Sequence, residues 1–205
     1  QHKHNYISLN RKDTKKPAQN TLILEAYCKK IEDKLCEFTS NKNSLQGVIY
    51  EAMEYSLMAG GKRLRPVLMM EFCHMCGGDI NEYLDIACTI EMIHTFSLIH
   101  DDLPCMDNDD FRRGKPSCHK AFPEDVALLA GDALNTLPFE VISNAVMEGR
   151  ISADKAIMLI SVLSKAVGSE GMIGGQIIDL ESEGKDISID TLNMLQEKKT
   201  GALIE

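Results

Sequence analysis

Residues 82–113, EYLDIACTIEMIHTFSLIHDDLPCMDNDDFRR, carry the passage that decides the fold. Its stretch 82–103 is the most apolar part of the chain and reads as a central, buried helix. Pro104 has no amide hydrogen to give the carbonyl of His100, so the helix must end or bulge there. Five of the ten residues from 101 to 110 are Asp, with no Lys or Arg among them. They therefore crowd the C-terminal end of an apolar helix, which already carries partial negative charge. Something cationic has to offset that repulsion. Hard divalent ions with oxygen ligands fit, and Mg²⁺ is the usual one when the partner is a phosphate. The plain alternative is a solvated acidic loop with no ligand.

Working outward, the rest of the chain is also helical. Leu24, Tyr27, Ile31, Leu35 and Phe38 recur at spacings of three and four and paint one face of a helix that starts at Thr21. Residues 44–59 form a second helix, closed by Gly60-Gly61. Residues 65–76 form a third, with Pro66 in its first turn and Gly77-Gly78 at its end. Pro123-Glu124 opens a helix that reaches about Pro138, and Ser152 caps another that runs to about Gly168. Segments 169–182 and 189–205 complete the series. No alternating strand pattern, hairpin signal or internal repeat is visible, so the class is all-α. Residues 1–20 are polar, lysine-rich and without periodicity, and are expected to be a flexible arm preceding a single helical domain over 21–205.

The bulk properties narrow the partners. The net charge is −9, which disfavours a broad electrostatic grip on nucleic acid. An anionic ligand must then be held by a local cation cluster or by metal. No apolar stretch reaches the length of a membrane span and no secretory signal is visible. The seven cysteines show no disulfide spacing and read as reduced thiols of a cytosolic protein. Cys73-His74-Met75-Cys76 looks like half a zinc site, but no second Cys-x-x-Cys follows, so helix-end cysteines are the better reading.

Local cation clusters are present. Glu91, His94 and Asp101 form a polar stripe on the central helix, and His94 and Asp101 lie seven residues apart, nearly in line at roughly 100° per residue. A buried His is commonly a satisfied core residue; sharing a face with a metal-type carboxylate makes a ligand role an equal contender. Arg112 and Arg113 are adjacent and point in different directions, so two separate anionic groups explain them better than one carboxylate cluster, and Arg suits bidentate phosphate contact. Gly60-Gly61-Lys62-Arg63-Leu64-Arg65-Pro66 is a glycine turn that delivers three cations to a helix N-terminus. Its order and spacing are not those of a P-loop. Lys199-Thr200 follows Gly174-Gly175-Gln176-Ile177-Ile178-Asp179 in the last part of the chain.

Together these segments resemble the trans-isoprenyl diphosphate synthases, or polyprenyl synthetases. GGKRLRP at 60–66, EMIHTFSLIHDDLPCMDNDDFRRGKPSCH at 91–119, LLAGDAL at 128–134, GGQIIDL at 174–180 and KKTGAL at 198–203 occur in the family's order from about residue 44 onward. The resemblance implies a bundle of long antiparallel helices around a central cavity, usually in a homodimer. It implies Mg²⁺, with Mn²⁺ as a substitute, and condensation of isopentenyl diphosphate with dimethylallyl or geranyl diphosphate. By motif, Asp101 and Asp107 resemble the metal ligands, with Asp102 in the same cluster. Arg112 resembles a contact to the allylic diphosphate and Arg113 a contact to isopentenyl diphosphate, with Lys62, Arg65 and His94 completing the latter site. Lys199 and Thr200 resemble the residues that hold the allylic diphosphate and stabilise the cation, and Gln176 joins the substrate-binding set. Phe96 lies five residues before Asp101, about 7.5 Å along the helix axis. A ring there would floor the pocket, as in the bacterial farnesyl (C15) type; a small residue would suggest C20. Plain core packing is the other reading of Phe96.

The chain ends at Glu205 in an apparent helix, before the family's second aspartate-rich motif. The expectation is a fold whose C-terminal part, and half of whose metal platform, lies beyond this length. Three other readings stay open. They are a geranylgeranyl diphosphate synthase, a catalytically silent partner subunit, and an HD-type metal phosphohydrolase built on His100-Asp101 with His74 and Asp132.

Overall fold

The computed structural model describes residues 19–204 and the side chains from residue 23 onward. Its architecture is all-α. The helices are α1 (Gln19–Phe38), α2 (Gly47–Leu57), α3 (Leu64–Met75), α4 (Leu84–Asp101), α5 (Cys118–Ala121), α6 (Glu124–Met147), α7 (Ala153–Val167), α8 (Met172–Ser182) and α9 (Ile189–Lys199), with a 3₁₀ turn at Gly201–Leu203. The anticipated arm falls on residues outside those described, apart from Gln19 and Asn20, which already belong to α1.

Helix α4 is the axis of the bundle, with α1, α2, α3 and α6 against it. It buries Ile86, Ala87, Cys88, Met92, Ile93, Phe96 and Ile99 around its circumference, which is why its sequence shows little polar face. The facing side of α6 is built of small residues, Ala127, Ala130, Gly131 and Ala145, with Leu134, Val141 and Ile142 between them. Small side chains let two helix axes approach closely. Ile31 and Leu35 of the α1 stripe are fully buried against this core, whereas Leu24 remains exposed.

Four expectations need correction. Helix α6 does not stop near Pro138 but runs through it to Met147. One lost hydrogen bond is outweighed where both flanking turns bury apolar faces: Pro138, Val141, Ile142 and Ala145 are all buried. A two-residue antiparallel ladder also exists, β1 (Phe111–Arg112) with β2 (Lys115–Pro116). It is too short to leave an alternating pattern. Its turn residues, Arg113 and Gly114, have φ of +52° and +80°, values usually given to Asn-Gly or Asp-Gly. The short helix α5 was likewise not anticipated. Last, two helical stretches, 124–147 and 153–182, are long and apolar enough to cross a membrane by composition. The first is α6, packed within the bundle; the second is α7 and α8, separated by the break from Gly168 to Gly171. Ser152 caps α7 as expected, its side chain accepting from the Lys155 amide at 3.3 Å. All seven cysteines are free thiols.

Candidate active site

The helix α4 ends where the sequence demands. The His100 carbonyl accepts from the Leu103 amide at 3.2 Å, and the Asp107 amide returns to the Asp101 carbonyl at 2.9 Å. The 102–108 segment thereby folds back on the helix end and keeps Asp107 at the same end as Asp101. The two adjacent aspartates then part company. Asp102 is buried and receives both Arg112 Nε and Nη2 on its carboxylate. Asp101 faces a cavity of about 430 Å³ that it shares with Phe96, Met106, Gln176, Lys199 and Thr200. Burial raises the Asp101 carboxyl to about 6, Lys199 opposes that rise, and Asp107 and Asp102 add to it.

Lys199 reaches this point because α9 lies tightly on α8. A side chain on Gly175 would stand 2.5 Å from the Lys199 amide nitrogen, so only glycine allows the approach. Lys199 Nζ is 2.5 Å from Asp179 and 4.0 Å from Asp101. Asp179, quoted in the GGQIIDL motif without a role, is thus the partner that aims Lys199. The amide of Gln176 turns its Nε2 inward with no hydrogen-bond partner. Thr200 caps the C-terminus of α9. The apolar walls of the cavity come from Phe96, Met172, Ile173, Ile177 and Leu180.

A second, open cleft of about 560 Å³ is lined by Gly60, Gly61, Lys62, Arg65, Glu91, His94 and Arg113. Arg113 sits in the left-handed turn of the ribbon, and its guanidinium occupies the place where a side chain on Gly61 would be. Its Nη2 is 3.4 Å from His94 Nε2. Arginine has only donors, so the imidazole offers its lone pair there and is neutral. Burial lowers the His94 pKa to about 4, with Arg65 and Arg113 pressing in the same direction. Arg65 and His94 line both cavities, so they form the wall between them.

Arg63 lines the cleft as well, but its side chain is only 1% exposed and is committed elsewhere. Arg63, one of the three in the glycine turn, is buried in a left-handed conformation with φ +50° and bonds to Glu91 at 2.7 Å, Glu32 at 3.1 Å and the Leu57 carbonyl at 2.6 Å. It is a structural brace, and Glu91 is its counter-charge, not a ligand group. Arg112 likewise has its guanidinium on Asp102 and, at 3.5 Å, on Asp109. The two arginines do diverge as expected, but Arg112 meets carboxylates. The ribbon that aims them is tied down by Tyr55, whose hydroxyl donates to the Pro116 carbonyl at 2.8 Å.

The donor set at Asp101 and Asp107 is two hard carboxylate oxygen groups at one end of α4, with Asp101 facing the cavity and its carboxyl raised chiefly by burial. Asp101 and Asp107 would be the residues to hold a magnesium ion, which would supply positive charge towards a phosphate group. Among the described residues no group of three or more His, Cys, Asp or Glu is placed to hold a metal ion by itself. This removes support for the HD-type reading, which needs four protein ligands. The His of its His-Asp pair, His100, instead points Nε2 at the Leu128 carbonyl at 3.1 Å, with Asp132 3.8 Å away.

Comparison with known proteins gives the family and the fold. A sequence profile described as "Polyprenyl synthetase" matches residues 46–205. The chain is 51% identical over 160 residues to the heterodimeric geranylgeranyl pyrophosphate synthase large subunit 1, chloroplastic, of Arabidopsis thaliana, covering 77% of this chain and 43% of that one. It is 44% identical over 184 residues to the farnesyl diphosphate synthase of Bacillus subtilis, covering 90% and 62%. The crystal structure of a geranyltransferase from Legionella pneumophila superposes with a TM-score of 0.84 at 37% identity, over 90% of this chain and 65% of that one. The chain therefore spans between 43% and 65% of the length of these three proteins. A profile match over most of the sequence, a shared helical bundle and motifs that fall on two adjoining cavities lead to one assignment: the chain belongs to the polyprenyl synthetase family.

Proposed function

We propose that this chain serves a short-chain trans-prenyltransferase that joins isopentenyl diphosphate to dimethylallyl and then geranyl diphosphate, giving the C15 farnesyl diphosphate. The observation that carries this reading is the pair of cavities sharing the Arg65–His94 wall. One is a cationic cleft whose cations can hold a diphosphate without metal. The other has carboxylates and Lys199 at one side and apolar walls within, the form needed by a diphosphate with a hydrocarbon tail.

In this reading Lys62, Arg65, His94 and Arg113 hold isopentenyl diphosphate. Asp101 and Asp107 hold Mg²⁺, for which Mn²⁺ can substitute. When bound, the metal neutralises charge that develops on the departing diphosphate. Lys199, Thr200, Gln176 and Arg112 hold the allylic partner, with Asp102 fixing Arg112. The allylic carbon–oxygen bond breaks, the electrons leaving with diphosphate. The double bond of isopentenyl diphosphate then supplies the electrons of the new carbon–carbon bond, and a proton is lost from the product cation. The protein is read as a cytoplasmic homodimer.

Phe96, buried and lining the apolar cavity, supports C15. The 51% identity to a geranylgeranyl synthase subunit favours C20 as the second reading. The test is to incubate the full-length protein with Mg²⁺, isopentenyl diphosphate and dimethylallyl diphosphate and measure product length. C15 is expected; C20 would replace the farnesyl assignment, and no product with any allylic diphosphate would point to a silent partner subunit. Phe96→Ala is expected to lengthen the product, and an unchanged C15 distribution would refute the floor role.

A further inference from the structure

We propose that Gly131 of α6 is a specificity-determining position for product length, because it seats His100, and His100 in turn pins the Phe96 ring at the floor of the apolar cavity. The inference rests on the prenyl-transfer reading above and adds residues to it.

Phe96 and His100 are four residues apart on α4, so their side chains lie one above the other on the same face. Their rings meet edge to face, with centroids 4.8 Å apart and planes at 79°. Both line the cavity that runs from Asp101. A phenyl ring at a cavity wall can turn about its side-chain bonds unless a neighbour blocks it. The imidazole is that neighbour, and it is itself immobilised from the other side. Its Nε2 donates to the Leu128 carbonyl of α6 at 3.1 Å, which fixes both the tautomer and the ring plane.

The seat for the imidazole is the missing side chain of Gly131. A methyl group built there would fall on Nε2 and Cδ2 of His100, far inside any real contact distance. Gly131 is buried, and its φ is not among the positive values that need glycine. Backbone conformation therefore does not demand glycine at 131; the space taken by His100 does. The neighbouring small residues Ala127 and Ala130 serve the close approach of the helices, but neither holds a polar ring.

The experiment measures product chain lengths from the full-length protein with Mg²⁺, isopentenyl diphosphate and dimethylallyl diphosphate, comparing wild type, His100→Ala, Gly131→Ala and the double variant. His100→Ala frees the Phe96 ring and should shift the main product up by at least one C5 step. Gly131→Ala drives the imidazole off α6 towards the cavity and should raise the share of C10. In the double variant the methyl group has nothing to displace, so its products should match those of His100→Ala. A role for Gly131 in helix packing alone predicts that its effect persists when His100 is absent; that result overturns the proposal, as does an unmoved distribution in His100→Ala. If Gly131→Ala does not fold, restored folding and long products in the double variant support the same conclusion, and a double variant that also fails to fold overturns it. A wild type that yields no prenyl product defeats the prenyl-transfer reading beneath, whereas a normal wild type with unmoved variants defeats this inference alone.

Discussion

Asp101 and Asp102 are chemically identical neighbours that the fold sets to different work. Asp102 is buried under the Arg112 guanidinium, while Asp101 opens to the cavity with its carboxyl raised to about 6 by burial. Replacing Asp101 by Ala removes a site group without touching the core. Turnover by the full-length protein should fall roughly a thousandfold or more, with the far-ultraviolet circular dichroism unchanged. Near-normal rates would sink the metal assignment. His94 allows a second test, in pH. Its folded pKa, about 4, lies below the ordinary histidine value because of burial and the surrounding Arg65, Arg113, Arg63 and Arg112. Between those two pKa values the unfolded chain binds a proton that the folded chain refuses, so stability is lost as pH falls from about 6.5 to 4, with a ceiling of about 3 kcal/mol. The difference in unfolding free energy between wild type and His94→Gln should shrink or reverse over that window and stay constant above pH 7. A pH-independent difference would mean that His94 is not held neutral. At this scale the motif residues were legible in the sequence, but the division of labour between neighbours was not. Whether a carboxylate faces the cavity or meets Arg112 depends on where a seven-residue loop folds back.

At the level of elements, the helix boundaries that follow from local chemistry were legible. Pro104 ends α4, Ser152 caps α7, and Gly77 closes α3, whereas α2 stops at Leu57, before Gly60-Gly61. The features that escaped depend on contacts distant in sequence. Helix α6 passes Pro138 because its two halves share a buried face, and the 111–116 ribbon exists because Tyr55, sixty-one residues from Pro116, ties it down. The glycine turn shows the same limit. Its three cations look equivalent, yet Arg63 is spent on Glu91 and Glu32, with Arg63 and Glu91 side chains 1% and 3% exposed. This buried pair fixes the turn that carries Lys62 and Arg65 to the helix bearing His94. Removing one partner strands a buried charge, so Glu91→Ala should cost about 3–5 kcal/mol in chemical denaturation. Replacing both, as in Arg63→Met with Glu91→Leu, should recover most of that loss, because two apolar side chains leave no charge behind. The recovered variant should still show a raised KM for isopentenyl diphosphate with little change for the allylic substrate. Full recovery of both parameters would show that the brace contributes stability and no positioning.

At the scale of the whole molecule, the arrangement is two cavities of different chemistry on either side of one wall. The cationic cleft uses Lys62, Arg65, His94 and Arg113, while the apolar cavity places carboxylates beside Lys199. The two sites occupy opposite ends of a charge argument. A cleft of arginine and lysine gains affinity from direct bidentate contact and needs no metal. A diphosphate brought towards Asp101 and Asp107 is repelled unless a divalent ion intervenes. Magnesium removal therefore separates the sites. With excess chelator, the full-length protein should lose turnover entirely and lose binding of an unreactive allylic diphosphate analogue. It should retain most of its affinity for isopentenyl diphosphate, measured by calorimetry in the same buffer. Adding Mg²⁺ should restore allylic binding and activity together. A chelated protein that loses both ligands equally would mean that the cleft at Lys62 also depends on metal, and the assignment of the two cavities would have to be exchanged or abandoned.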